Sequence, residues 1–332
     1  MNPKVLQELT IGLQAKPAHI APKFFYDELG SKLFEAITLL DEYYPTRTEA
    51  HIMSRYIDEI SAAVGDCDAL VDLGAGNCAK ASTLFESLQP KQYWALDISK
   101  TFLDAAIANL QKQFPQIAMV AQVCDLSQAI QLPDIAAQKK IFFYPGSSIG
   151  NFDPKEAHLF LQGVAQLLNG SGGLLIGVDL VKNRDVLHRA YNDSLGITAA
   201  FNCNVLLHIN RLIGTNFCLE DWEHDAFFNE QASRIEMHLR AKRDVQVIWG
   251  GHLAEFSKGE TIHTENSYKY TQAGFQDLLK KAGFQKVVSW TDQNQNFMVC
   301  FASFAWGLSY FKPFGPNSSL GPLDNYFALH YK

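Results

Sequence analysis

Val71-Asp72-Leu73-Gly74-Ala75-Gly76-Asn77 sets an apolar run, two glycines and the start of a helical pattern in immediate succession. Glycine lacks a Cβ and tolerates positive φ, so backbone at such a turn can approach a ligand closely, while the following helix offers unpaired amide donors. The spacing Gly74-x-Gly76-x-x-Ala79 also satisfies the dinucleotide fingerprint, so a nicotinamide-dependent dehydrogenase competes with other nucleotide users on this evidence.

Outward from this turn, apolar runs alternate with helical patterns, the signature of a parallel sheet with crossover helices. Strands are expected at 69–72, 93–97, 118–124, 140–144 and 173–179. Helices are expected at 79–88, at 100–114 with Phe102, Leu103, Ala106, Ile107 and Leu110 on one face, and at 155–168 after the Asp153-Pro154 start signal. Near the end a helix at 271–282 stops at Gly283, and strands at 286–290 and 297–304 flank the polar stretch 291–296. Two strands with no helix between them pair antiparallel. The expected fold is therefore α/β, a doubly wound Rossmann-like sheet of the class I methyltransferase type ending in an antiparallel hairpin.

About ninety residues separate Asp179 from Thr271, too many for a structureless loop in a compact domain. The stretch 184–213 reads as helical with a break at Gly196, while 234–241 and 244–250 alternate like antiparallel strands, with Ile235, Met237 and Leu239 on one face. A smaller inserted α+β domain is expected over the carboxyl edge of the sheet, where ligands bind. The chain then divides into a first methyltransferase part (15–183), an inserted substrate-binding domain (184–268) and a second methyltransferase part (269–332).

Composition narrows the partners. With 47% hydrophobic residues over 332 positions the chain can bury a sizeable core without disulfides or metal. Its 28 Lys+Arg against 35 Asp+Glu leave a net charge of -7, and the cations are scattered, which argues against a nucleic-acid surface. The opening lacks an apolar leader and no run reaches membrane-spanning length, so a cytoplasmic, soluble monomer is expected. The six cysteines form no C-x-x-C pair, and His188, His208, His238 and His252 form no H-x-x-x-H, so no metal is expected.

Asp97 closes the second strand, where a carboxylate can accept both hydroxyls of an adenosine ribose, and Asp125 follows the third, where one can accept from the adenine amine. With Asp72, three acids at successive strand ends favour an adenosyl ligand.

Four further motifs are uncommon: 41–49 (Asp-Glu-Tyr-Tyr-Pro-Thr-Arg-Thr-Glu), 144–152 (Tyr-Pro-Gly-Ser-Ser-Ile-Gly-Asn-Phe), 190–193 (Ala-Tyr-Asn-Asp) and 262–270 (Ile-His-Thr-Glu-Asn-Ser-Tyr-Lys-Tyr). In this order, from about Ala21 to the C-terminus, they resemble the histidine-specific Nα-methyltransferase family, which forms hercynine in ergothioneine biosynthesis. The resemblance implies an enzyme that uses S-adenosyl-L-methionine, releases S-adenosyl-L-homocysteine and methylates the α-amino group of L-histidine to the trimethyl product. The alternative is another amino acid as substrate. It implies cofactor contacts at Gly74, Lys80, Asp97, Cys124 and Asp125, with Lys80 near the cofactor's carboxylate. It further implies that Tyr43 and Asn151, the catalytic pair, hold the α-amino group, that Tyr191 holds the carboxylate, and that Glu265 and Ser267 bind the imidazole, with Asn266 part of the same segment. Tyr26 and Tyr44 are second candidates for the amine pocket. Ala75 and Cys78 stand where the family often has Ser or Thr.

The chemistry asks for little beyond position. An ammonium has no lone pair, so the amine must first lose a proton. No His or Lys reads as a strong base, and a nearby cationic sulfur itself lowers an amine pKa. The expected site is desolvated and weakly basic, with water taking the proton.

Overall fold

The computed structural model describes residues 2–126, 135, 137 and 139–304. Residues 305–332 of the expected second methyltransferase part lie outside the described residues. The chain begins with helix α1 (Pro3–Gln14), whose first turn is capped by the Asn2 side chain accepting from the Lys4 N–H at 3.0 Å. A short strand β1 (Ala18–His19) and a 3₁₀ turn (Pro22–Phe25) lead to α2 (Glu28–Ile37), capped by Asp27. Then come α3 (Tyr44–Arg55), with Pro45 in its first turn, and α4 (Ile57–Val64).

The alternating core follows: β2 (Ala69–Leu73), α5 (Ala79–Ser82), α6 (Phe85–Leu88), β3 (Gln92–Asp97), α7 (Lys100–Gln113), β4 (Ala118–Val123), β5 (Lys140–Tyr144), α8 (Pro154–Leu168) and β6 (Gly173–Asp179). Every residue of β2 and β6 is buried, the pattern of strands covered on both faces. The helix expected over 79–88 is broken in two. Ser82 Oγ donates to the Ala79 carbonyl and Thr83 Oγ1 to the Lys80 carbonyl, which diverts carbonyls from the helical ladder.

Beyond β6 the insert contains α9 (Arg184–Tyr191), α10 (Ile197–Ile213) and strands β7 (Trp222–Asn229), β8 (Arg234–Ala241), β9 (Val245–Trp249), β10 (His252–Phe256) and β11 (Thr261–Tyr268). Gly196 stands at the N-cap of α10 with φ +71°, which is the helical break read in the sequence. The chain ends, within the described residues, with α11 (Gln272–Lys281), β12 (Lys286–Thr291) and β13 (Phe297–Ser303).

The seven-stranded sheet has the order β12-β13-β6-β5-β2-β3-β4. β6, β5, β2, β3 and β4 are parallel, and β13 lies antiparallel between β6 and β12, the expected terminal hairpin. A second sheet of order β1-β11-β8-β7 carries the insert, with β9 and β10 as a separate hairpin. β1 pairs with β11, and Ala18, Ile20, Phe24, Phe25 and Ile37 share a hydrophobic core with Leu187, Phe201, Met237 and Ile262. The segment from 15 to about 40, grouped with the parallel sheet in the sequence reading, thus packs with the insert. The physical reason is pairing: β11 has an open edge that β1 covers.

Candidate active site

β2 is the switch point of the sheet, with β3 and β4 to one side and β5 and β6 to the other, so a crevice opens at its carboxyl end. Gly74 and Gly76 turn there with φ +73° and +54°, and a Cβ built on Gly76 meets nothing within 4 Å, so the turn fronts open space. Asp97, at the end of β3, accepts from the Gly76 N–H at 2.9 Å and from the Ser99 N–H at 3.1 Å. A carboxylate has about four lone-pair sites, so capacity remains for a diol. Cys124 and Asp125 follow β4 directly; the Cys124 N–H donates to the Asp97 carbonyl at 2.9 Å, and Asp125 pairs with Lys23 at 3.1 Å. Asp72 is buried with Oδ1 unpartnered while Tyr93 donates to Oδ2, and burial pushes its carboxyl up to about 7. Open space before a glycine turn, with the Asp97 and Asp125 carboxylates at the neighbouring strand ends and Asp72 buried behind it, fits an adenosyl cofactor.

Lys80 adds a contact that sequence reading missed. Its ammonium pairs with Glu49 at 2.6 Å, and the buried Glu49 also accepts from the Gly146 N–H at 2.8 Å. A Cβ on Gly146 would lie 3.1 Å from Lys80 Nζ. The glycine turn and the loop after β5 therefore share a wall. Glu49 was legible only as the last residue of the 41–49 motif.

On the other side of that wall lies a cleft of about 620 Å³, open solvent at its mouth included. Tyr43, Asn151, Tyr191, Glu265 and Ser267 all line it, brought from four separate segments, together with Tyr26, Phe201 and Lys269. Asn151 ends the 3₁₀ turn Ser148–Asn151 after β5, and its Nδ2 donates to Glu265 at 3.4 Å, leaving its oxygen free to face an amine. Gly150 lets that turn press on β11, since a Cβ there would stand 2.9 Å from the Tyr268 carbonyl oxygen.

The two tyrosines at the start of α3 part company. Tyr43 faces the cleft, whereas the Tyr44 hydroxyl donates to Asp179 at 2.7 Å and accepts from Lys182 at 2.7 Å. Burial pushes the Tyr43 and Tyr26 phenols well up, so both stay protonated as hydrogen-bond partners rather than bases. Asn266 does not line the cleft. It alternates to the other face of β11, opposite Glu236, and its Oδ1 is buried without a partner. Glu265 is the titratable group of interest: burial pushes its carboxyl up to about 7 against the pull of Lys269. Sequence reading passed over Asp179, Lys182 and Lys269, which form a buried charge cluster at the cleft wall.

A sequence model of the family described as histidine-specific, S-adenosylmethionine-dependent methyltransferases matches residues 5–304. The chain belongs to this family. Among relatives of this methyltransferase, the histidine N-alpha-methyltransferase of Mycolicibacterium smegmatis is 37% identical over 303 residues, covering 89% of this chain and 94% of that protein. The histidine N-alpha-methyltransferase of Mycobacterium tuberculosis is 35% identical over 299 residues, with 88% and 92% covered. Ergothioneine biosynthesis protein 1 of Neurospora crassa is 30% identical over 322 residues; the match spans 94% of this methyltransferase but 36% of that longer protein.

Proposed function

We propose that this methyltransferase converts L-histidine, by successive methylation of its α-amino nitrogen, to the trimethylated betaine hercynine. The observation that carries the reading is the convergence on one cleft of Tyr43, Asn151, Tyr191, Glu265 and Ser267, with Gly146 in the same lining and beside Lys80 of the glycine-turn helix. Gly74, Lys80, Asp97, Cys124 and Asp125 would hold S-adenosylmethionine, which when bound supplies a methyl group on a cationic sulfur.

The protein's own part is position and dehydration. Asn151 Oδ1 and the neutral Tyr43 hydroxyl orient the amine, and Tyr191 holds the carboxylate. The Glu265 carboxylate accepts one imidazole N–H while Ser267 meets the second ring nitrogen. Holding both reactants at attack geometry is worth up to roughly 7–11 kcal/mol. A secondary and a tertiary amine still carry a lone pair, and a quaternary one does not, so transfer ends at three methyl groups. The proton leaves to water. The reading gives no metal a part in the reaction and describes a cytoplasmic monomer acting on a free amino acid rather than on nucleic acid. Among the described residues no helix is long and apolar enough to cross a membrane.

Incubation with S-adenosylmethionine and a panel of amino acids, followed by mass spectrometry, tests the proposal. Histidine gaining one, two and three methyl increments is the expected result. Methylation of a different amino acid in preference would move the activity within the family, and methylation on the ring would refute the assigned orientation.

A further inference from the structure

Among the described residues that line the cleft, Lys269 is the one cation, and its side chain is 1% exposed. An ammonium has three donors and no acceptor. All three find partners: Asp179 Oδ2 at 2.9 Å, Ser267 Oγ at 2.6 Å and the Tyr191 hydroxyl at 3.3 Å. Asp179 is already served by Lys182 and by the Tyr44 hydroxyl. Two lysines thus share one buried carboxylate, and the cluster of three carries a net positive charge. Lys182 does not line the cleft, and burial, with Lys269 beside it, holds its ammonium down to about 8 against the pull of Asp179, so Lys269 is the charge facing the cleft.

Burying an ammonium costs several kcal/mol unless it is matched, and Lys269 has only a carboxylate shared with Lys182 and the Glu265 carboxyl that burial pushes up to about 7. An arriving carboxylate completes the match. The other ionisable group facing Lys269 from the cleft wall is Glu265, which the proposed function spends on the imidazole. Lys269 also sets hydrogen-bond polarity: when the Tyr191 oxygen accepts from the ammonium, the remaining Tyr191 hydrogen must be donated elsewhere, and a carboxylate accepts only. The ammonium donates to both the Ser267 and the Tyr191 hydroxyl and so steadies the two together.

We infer that Lys269 is the counter-charge for the substrate's α-carboxylate, acting through Tyr191 as a positioning residue, and that it makes the cleft select a free amino acid over its uncharged amide. This rests on the proposed function, because it takes the occupant to be an α-amino acid.

The test compares L-histidine with L-histidinamide at saturating S-adenosylmethionine, using the full-length protein, Lys269→Met and Lys269→Arg. Wild type is expected to favour histidine by about 100-fold in kcat/KM, the size of a buried charge contact. In Lys269→Met, kcat/KM for histidine should fall by about 100-fold, chiefly through KM, while the amide changes by less than about 3-fold; Lys269→Arg should recover part of the preference. Equal losses for both substrates would reduce Lys269 to a structural role and overturn the inference. Should Lys269→Met fail to fold, wild type alone decides, since equal use of the amide refutes it. Methylated histidine with no charge discrimination sinks only this inference, whereas no methylated histidine at all sinks the function and the inference with it.

Discussion

The cofactor edge and the substrate cleft meet at Gly146 and Lys80 but are assembled differently. The edge is made from short stretches at successive strand ends, 74–80, 97 and 124–125, and leans on backbone amides and half-exposed carboxylates. The cleft draws on segments spread between 26 and 269 and seats charges in protein. An edge of exposed groups tolerates loss of one partner because water replaces it. A cleft of buried ions does not, because an orphaned charge keeps its full desolvation cost.

The largest expected effect separates the two directly. Glu265→Ala should weaken histidine binding by about 10³-fold or more while S-adenosylhomocysteine affinity stays within about 3-fold. Asp97→Ala should act on the other ligand and more weakly, lowering S-adenosylhomocysteine affinity by about 10-fold while histidine affinity stays within about 3-fold. Calorimetric titration of both ligands into both variants reads this out, and equal losses across ligands would show that edge and cleft act as one site.

Next in size is a pH effect confined to the cleft. The Glu265 carboxyl titrates near 7 when folded, above its usual range, so it binds its proton more tightly folded than unfolded. Its contribution to stability is therefore complete below about pH 4.5 and is lost as pH rises through 7. Glu265→Gln should remove about 2 kcal/mol of that decline in the ligand-free protein, less than the full linkage value because cleft water solvates part of the charge. Denaturant unfolding at several pH values, wild type against variant, is the measurement; parallel curves would place the titration elsewhere.

A steric prediction follows at the shared wall. Gly150→Ala puts a methyl 2.9 Å from the Tyr268 carbonyl oxygen and should cost about 1–3 kcal/mol in stability, with histidine KM rising as Asn151 shifts. Unchanged melting and KM would show that the loop gives way freely. The smallest effect belongs to the exposed side: Lys100→Ala, which breaks an exposed pair with Asp104 on α7, should change stability by less than about 0.5 kcal/mol and leave both ligands unaffected.

The parallel sheet was legible because each strand is an apolar run bounded by turn residues, and the terminal hairpin because no helix fits between 291 and 296. The five cleft residues were reached through short motifs by likeness, and their convergence was not a property of any one motif. Asn266 was carried along by adjacency, although strand alternation sets it on the opposite face from Glu265 and Ser267. The break at Thr83 escaped notice because side-chain hydroxyls competing for carbonyls leave helical periodicity intact.

From sequence alone came the order of strands and helices in the large sheet, the glycine turn and the acids at the strand ends, because local periodicity and turn chemistry act over a few residues. Only the folded chain decided that Tyr43 rather than Tyr44 enters the cleft, that Glu49 anchors Lys80, and that Asp179, Lys182 and Lys269 share one buried charge cluster. Those outcomes depend on groups far apart in sequence being desolvated together. Electrostatics at a distance of a few ångströms has no periodicity for a sequence to display.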